Sequence, residues 1–289
     1  MSSDNDRPLY TRRRVIGLGA AALGATAAGR VIPVYGAQGS AIESYNWSGA
    51  RVTNDIPEMK YPTQQYFTSV LATWRVPTVE PNQNELDVRS AAWIGLDGGT
   101  FGLPETPSPV KVLQAGTYHE VQSGKPAQYF AFFGLDDGSA NTGDLYSTAP
   151  FVRFSVKPYD RIKVVLTYPT GTPGEALADF SGSTSAPSDA KFKLPIPDKT
   201  ITGYTAEWVF ERISIDNNSA KKDYQKSYYN LGNHDHIDFN QAVARTDGGN
   251  SISPDQGDSI IMRDVDNWPN PLTVGTASGQ VVEIKQRRL

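Results

Sequence analysis

From Ser44 onward the chain is broken into short runs of aromatic and β-branched residues, and no long segment repeats its apolar positions at the period of a helix. These runs predict strands at Trp47 to Thr53, Phe67 to Val76, Arg89 to Leu96, Lys111 to Glu120, Gln128 to Phe133, Phe151 to Lys157, Ile162 to Tyr168, Tyr204 to Ile213, Ser259 to Val265 and Gln280 to Lys285. Turn-forming clusters separate them: Asp97-Gly98, Asp137-Gly138, Pro158-Tyr159-Asp160, Gly171 to Gly174 and Asp247-Gly248-Gly249. Many short strands at this spacing predict an all-β sandwich or barrel. Ser181 to Ser188 has the composition of a linker, but strand-like runs lie on both sides. Residues 38–289 therefore read as one domain, with Pro77 to Asp87 and Ser214 to Lys226 as polar loops.

The first 37 residues read differently. Thr11-Arg12-Arg13-Arg14-Val15-Ile16 leads into the small, mildly apolar run Gly17 to Ala28, which resembles a twin-arginine export signal. That run is shorter than the about 20 apolar residues a membrane-spanning helix needs, so a cleaved signal is preferred to an anchor. The expectation is a secreted or periplasmic protein that leaves the membrane once the signal is removed. Cleavage after Ala27 or after Ala37 fits equally. Loss of residues 1–37 leaves 22 basic residues against 29 acidic ones, a net charge of −7. An acidic surface argues against nucleic acid as a partner. The chain has no cysteine, which excludes disulfides and thiolate metal sites, so stability must come from the core.

Chemistry is sought first in Tyr204-Thr-Ala-Glu-Trp-Val-Phe-Glu-Arg212. On a strand, Glu207, Val209 and Glu211 share one face while Ala206, Trp208 and Phe210 share the other. Acids inside a strand need a wet or functional face. Along a strand Glu207 and Glu211 stand ~13 Å apart at Cα. Leaning side chains could approach the ~5.5 Å between carboxyl groups that a retaining glycosidase needs. Jelly-roll glycosidases, however, carry a Glu-x-Asp-x-Glu pattern, and Val209 occupies the middle position here. Two more segments stand out. In Ala91-Ala-Trp-Ile-Gly-Leu-Asp-Gly98, residues Trp93, Gly95 and Asp97 share a face. In Lys111-Val-Leu-Gln-Ala-Gly116, Gln114 interrupts an apolar strand with an amide that can donate to an oxyanion at any pH.

Together with Asn46-Trp-Ser-Gly-Ala50, these segments resemble the glutamic peptidase family, the eqolisins, whose strands read Asn-Trp-x-Gly, Trp-x-Gly-x-Asp-Gly, Leu-Gln-x-Gly and Ala-Glu-x-x-x-Glu. All four occur here in that order, and Thr73-Trp-Arg-Val-Pro77 and Val156 to Ile162 also look like family segments. The resemblance covers roughly Ser44 to Lys285. It implies an antiparallel β-sandwich of two packed sheets, related to legume lectins, with the active site on the concave face of one sheet. It implies an acid-acting endopeptidase whose dyad falls on Gln114 and Glu211. Glu211 would then be general base and acid on water, and Gln114 would stabilise the oxyanion. Glu207 becomes a supporting acid, and Trp47, Trp93, Asp97, Glu207 and Tyr129 are expected around the substrate. Protein or peptide substrates, a monomer, and no cofactor or metal follow from the same resemblance. Two departures are noted: Arg212 stands where an acid often follows in fungal members, and Ala127 to Phe133 lacks the family's acid. Fewer acids in the cleft imply a higher pH optimum.

Other readings are weaker. A glycan-active or glycan-binding sandwich using Glu207, Glu211, Trp47, Trp93 and Tyr129 is the alternative. Asn233-His-Asp-His236 with Asp238 could be a metal site, but lacks a zincin pattern and reads as a solvated turn. His119 reads as structural, and no Gly-x-Ser-x-Gly elbow supports a serine triad.

Overall fold

The computed structural model describes residues 41–54, 65–81, 87–98, 111–136, 152–168, 174–182, 190–196, 201–215, 228–234, 236–264 and 271–286. The signal-like segment lies outside them. In chain order the strands are β1 Ala41–Ser44, β2 Trp47–Thr53, β3 Phe67–Arg75, β4 Val79–Glu80, β5 Asp87–Leu96, β6 Val112–Gln122, β7 Gln128–Asp136, β8 Val152–Ser155 and β9 Arg161–Thr167. They continue with β10 Glu175–Ser181, β11 Ala190–Pro195, β12 Thr205–Arg212, β13 Asn233–His234, β14 Ile237–Thr246, β15 Ser251–Ile252, β16 Asp258–Arg263, β17 Pro271–Ser278 and β18 Val281–Gln286. Among the described residues the helical content is one 3-10 turn, Pro254–Gln256, and no helix is long and apolar enough to cross a membrane.

The strands hydrogen-bond in the order β11-β10-β9-β3-β14-β18-β17-β16-β2-β12-β5-β6-β7-β8, and this continuous path folds back on itself as two layers. The turning point is β14. Its first residues, Ile237 to Phe239, pair with β18 in one layer, and Asn240 to Thr246 pair with β3 in the other. Just past the switch, between Asn240 and Val243, the register shifts, and Gln241 takes a positive φ of 54°. A bulge of this kind bends a strand and lets it change sheets. Every ladder named along the path is antiparallel, while β1 joins β16 in parallel at the side. The all-β antiparallel sandwich is the fold observed.

The core between the layers is aromatic. Trp74, Phe133, Phe180, Trp208, Phe210 and Phe239 are fully buried there, each contributing roughly 1.5–3 kcal/mol by leaving water. Two indoles tie one layer to the other. Trp208 Nε1 donates to the Leu71 carbonyl at 3.0 Å, and Trp74 Nε1 donates to Thr117 Oγ1 at 3.2 Å. With Ala206, Trp208 and Phe210 committed to this core, alternation turns Glu207, Val209 and Glu211 to the opposite face of the β2-β12-β5-β6-β7 sheet.

Candidate active site

That opposite face is a second, smaller buried cluster. It holds Trp47, Ala91, Trp93, Val112, Tyr118, Phe132, Val209, Ile213 and Ile260. Antiparallel register sorts its residues into rows that run across the strands. One row reads Asp258 on β16, Arg51 on β2, Glu207 on β12, Gly95 on β5, Gln114 on β6 and Gly134 on β7. Four residues further along β12, another row reads Trp47, Glu211, Ala91, Tyr118 and Phe130.

Gln114 therefore stands two strands from Glu207, with only Gly95 between them. Neighbouring strands lie ~4.8 Å apart, so the two Cα atoms are ~10 Å apart and their side chains can lean toward each other over a position without a side chain. Gly134 leaves the other flank of Gln114 clear in the same way. Both polar residues are buried, Glu207 at 0% exposure and Gln114 at 4%. Gln114 Oε1 accepts no hydrogen bond from the described protein groups, so the amide oxygen is not spent on holding the fold.

The register does not set Glu211 level with Gln114, its expected partner. Glu211 lies opposite Ala91 and Tyr118 rather than opposite Gly95 and Gln114, ~13 Å along the strand from the row that holds Gln114. Its carboxylate is engaged locally: Oε2 accepts from Trp93 Nε1 at 2.8 Å and Oε1 from Asn46 Nδ2 at 3.3 Å. Glu207, expected as a support, occupies the position level with Gln114.

Trp93 links the two rows. Its indole nitrogen meets Glu211, while the far edge of the ring lies over Gly95: a Cβ there would stand 2.7 Å from Trp93 Cζ3. A Cβ at Gly116, its cross-strand neighbour, would come within 2.5 Å of Trp93 Cβ. Glycine at both positions is thus a requirement of close approach. Trp47 packs edge-on against Trp93, ring centres 4.9 Å apart. Neither indole offers an open flat face, since Trp93 is fully buried and Trp47 is 9% exposed.

Two expected substrate contacts are placed elsewhere. Tyr129 pairs with His119 on the core side of the sheet, packs against the main core, and accepts a hydrogen bond from the Val79 amide at its hydroxyl. The period-2 alternation puts Phe130 and Phe132, not Tyr129, on the face that carries Gln114. Asp97 adopts a positive φ of 61° at the end of β5 and spends its carboxylate on the Thr202 and Tyr204 amides and the Thr202 hydroxyl. It anchors the segment leading into β12. Burial pushes its pKa up, against the lowering effect of those hydrogen bonds.

The remaining candidates resolve into structural contacts. Arg212 is held by its neighbours: Nε donates to the Tyr229 carbonyl at 2.7 Å, the guanidinium lies over the Tyr228 ring, and Asp264 is 3.6 Å away. His119 is buried between Ser90 Oγ and Thr117 Oγ1, and burial, with a smaller push from His234, lowers its pKa to about 3. His236, Asp238 and Glu283 bring one ligand-type atom each within 4.8 Å of one another. Asp235, part of the metal pattern read from sequence, lies outside the described residues. In this trio His236 Nε2 meets Asp238 at 2.7 Å and Glu283 at 3.2 Å, and Lys285 Nζ meets the other Glu283 oxygen at 2.7 Å. The group reads as a partly exposed network of surface polar contacts.

Sequence reasoning missed Arg51. The signal was present, since a charged residue sits inside the strand-like run Trp47 to Thr53.

Comparison with known proteins adds three findings. Residues 45–286 match the model of the Peptidase A4 family. No curated protein matches the chain by sequence. Among solved structures, the chain is similar to scytalido-glutamic peptidase bound to a transition-state-analogue inhibitor, with a TM-score of 0.59 at 17% identity, covering 84% of this chain and 99% of that one. A second structure of that peptidase, with a peptide-based transition-state analogue, gives 0.58 at 16% identity over the same shares. SCP-B, described as a member of the eqolisin family in complex with the tripeptide Ala-Ile-His, gives 0.57 at 16%, again over 84% and 99%. At such identities these likenesses speak for the fold.

Proposed function

Because the chain belongs to the Peptidase A4 family, and so hydrolyses peptide bonds, we propose that Gln114 and Glu207 carry the reaction across Gly95 while Glu211 supports the groove beside them. The observation that carries this reading is the row Glu207–Gly95–Gln114: one carboxylate and one amide face each other over the gap that a glycine leaves.

In this reading Glu207 takes a proton from a water molecule as the water oxygen attacks the scissile carbonyl carbon. The carbonyl oxygen becomes an oxyanion and receives an N–H of the Gln114 amide, which stays neutral at every pH. The C–N bond then breaks, and Glu207 returns its proton to the departing amine. Atoms and charges balance without a covalent enzyme intermediate. A free glutamic acid titrates near ~4.3, so a single group serving as base and then acid suits acidic medium. Peptide substrates are favoured by the neighbours of similar fold, which hold a peptide-based inhibitor and a tripeptide. Export through the twin-arginine-type segment belongs to the same proposal.

The test is digestion of a denatured protein from strongly acidic to neutral pH by wild type, Glu207→Gln, Glu211→Gln and Gln114→Ala, each checked for native far- and near-ultraviolet circular dichroism. The reading expects no cleavage by a folded Glu207→Gln protein and residual cleavage by Glu211→Gln. A folded Glu207→Gln variant that digests like wild type sinks it.

A further inference from the structure

A fully buried carboxylate needs a reason to stay ionised, and in the Gln114 row that reason stands on the neighbouring strand. Arg51 on β2 is the direct cross-strand partner of Glu207 on β12. Directly opposed residues of an antiparallel pair have Cβ atoms about 5 Å apart, within reach of a guanidinium and a carboxylate. Arg51 is itself 3% exposed. On its far side it meets Asp258, which accepts from Nε at 3.3 Å and Nη2 at 3.2 Å with a single oxygen, Oδ2. A guanidinium carries five N–H donors in a planar fork, enough to meet a carboxylate on each side.

We propose that Arg51 is a positioning residue of the hydrolytic site, which holds the buried Glu207 carboxylate ionised and oriented so that it acts as base below the pH at which an unpaired buried glutamate would be protonated. The inference rests on Glu207 being the general base. Its physical basis is a contest of two effects. Burial alone raises a carboxyl pKa by as much as about 3–5 units, whereas an adjacent arginine lowers it by about 1–3. Arginine keeps its charge even when buried, where a lysine ammonium more readily gives up its proton.

The other groups facing Glu207 do not replace Arg51. β5 offers Gly95, and β6 offers the neutral Gln114. Beyond Gly95, Asp97 is held by Thr202 and Tyr204. Glu211, the other acid on the same face of β12, is engaged by Trp93 and Asn46. From β16, Asp258 is a competitor for the same guanidinium. The 3-10 turn packed near β2 brings Asp255, whose carboxylate meets Ser253 and the Gly279 amide. Arg51 is therefore the cation of this row, shared by two carboxylates.

The experiment is the pH profile of kcat/KM on a quenched peptide substrate for the purified full chain, comparing wild type with Arg51→Met, Arg51→Lys and Asp258→Asn. In Arg51→Met the acid limb should move up by at least one pH unit. That is a loss at least tenfold greater at pH values below the limb than on the plateau. Arg51→Lys should restore most of the shift. Asp258→Asn keeps the cation and removes its competitor, so its limb should stay in place or move down, which tests the idea even if Arg51→Met fails to fold. An Arg51→Met limb that does not move, a loss of equal size at every pH, or an upward shift in Asp258→Asn overturns the proposal. If Glu207→Gln turns over like wild type, the reading beneath it falls. If Glu207→Gln is inactive while the Arg51→Met limb stays put, only the role of Arg51 falls.

Discussion

Glu207 and Glu211 share one face of one strand, yet their surroundings differ in kind. Glu207 lies at the floor of a row with a cation on one side and, beyond a glycine, an amide on the other. Glu211 lies in a row of bulk, next to Ala91 and Trp47, with its two oxygens taken by an indole and an asparagine amide. A carboxylate whose oxygens are committed to structural donors orients other groups; one facing an uncommitted amide across a gap is placed to act on something between them. The local strand chemistry of the two acids is the same, so the difference arises from the partners that register supplies.

The comparison is broken most directly by neutralising each acid in turn. Glu207→Gln should lower kcat by about 10³-fold or more with the fold kept, as general acid–base groups contribute roughly 10²–10⁴-fold. Glu211→Gln should cost about tenfold in kcat. Equal losses, measured by single-turnover cleavage of one peptide, would erase the distinction between the rows. Gln114→Ala comes next, at about 10²-fold in kcat with KM little changed, the signature of a donor used in the transition state. A loss confined to KM would make Gln114 a binding group only.

The two faces of β6 sharpen the same contrast, because Gln114 looks into the groove and His119 into the core. His119 titrates near its ordinary ~6.5 when unfolded but at about 3 when buried in the native protein. Between these values the unfolded chain binds the proton and the native one does not. The stability owed to the neutral ring is therefore complete above pH ~6.5 and is lost progressively as the pH falls toward about 3. At pH 4 the loss relative to pH 7 amounts to about 3 kcal/mol. Urea unfolding at the two pH values should show that His119→Gln flattens the acid decline, while the pH profile of the reaction stays where it was. An undiminished decline would mean that other groups set the acid limit of the fold. An acid-acting reading therefore places the chemistry and this core histidine in opposition.

The sequence carried the sandwich because its signals are local: strand alternation and turn residues act within a few positions. It also carried Gln114 and both acids, since polar groups in apolar strands stand out. It did not carry which acid faces Gln114, because that depends on the register of β12 against β5 and β6, which lie far from it in the chain. The strand Ile237–Thr246 escaped for a related reason. Its buried positions fall on odd residues at Ile237 and Phe239 and on even ones at Ala242, Ala244 and Thr246, and the bulge at Gln241 that changes the phase also blurs the pattern. Tyr129 was misplaced by one step of alternation in a run where aromatic residues occupy both faces.

The smallest expected effect addresses how separate the two rows are. Trp93 gives its indole N–H to Glu211 and rests its ring edge on Gly95, so it touches both. Trp93→Phe removes the hydrogen bond to a carboxylate, worth roughly 1.5–3 kcal/mol, and withdraws part of the ring. The expected cost is about 2 kcal/mol of stability by urea titration, with about a tenfold loss in kcat/KM. If Glu211 acts through this contact, the Trp93→Phe and Glu211→Gln variants remove the same interaction twice, and the double variant should fall short of the sum by about 1 kcal/mol or more. Additivity within about 0.3 kcal/mol would mean that Glu211 reaches the groove by another route, and that Trp93 shapes the gap over Gly95 by packing alone.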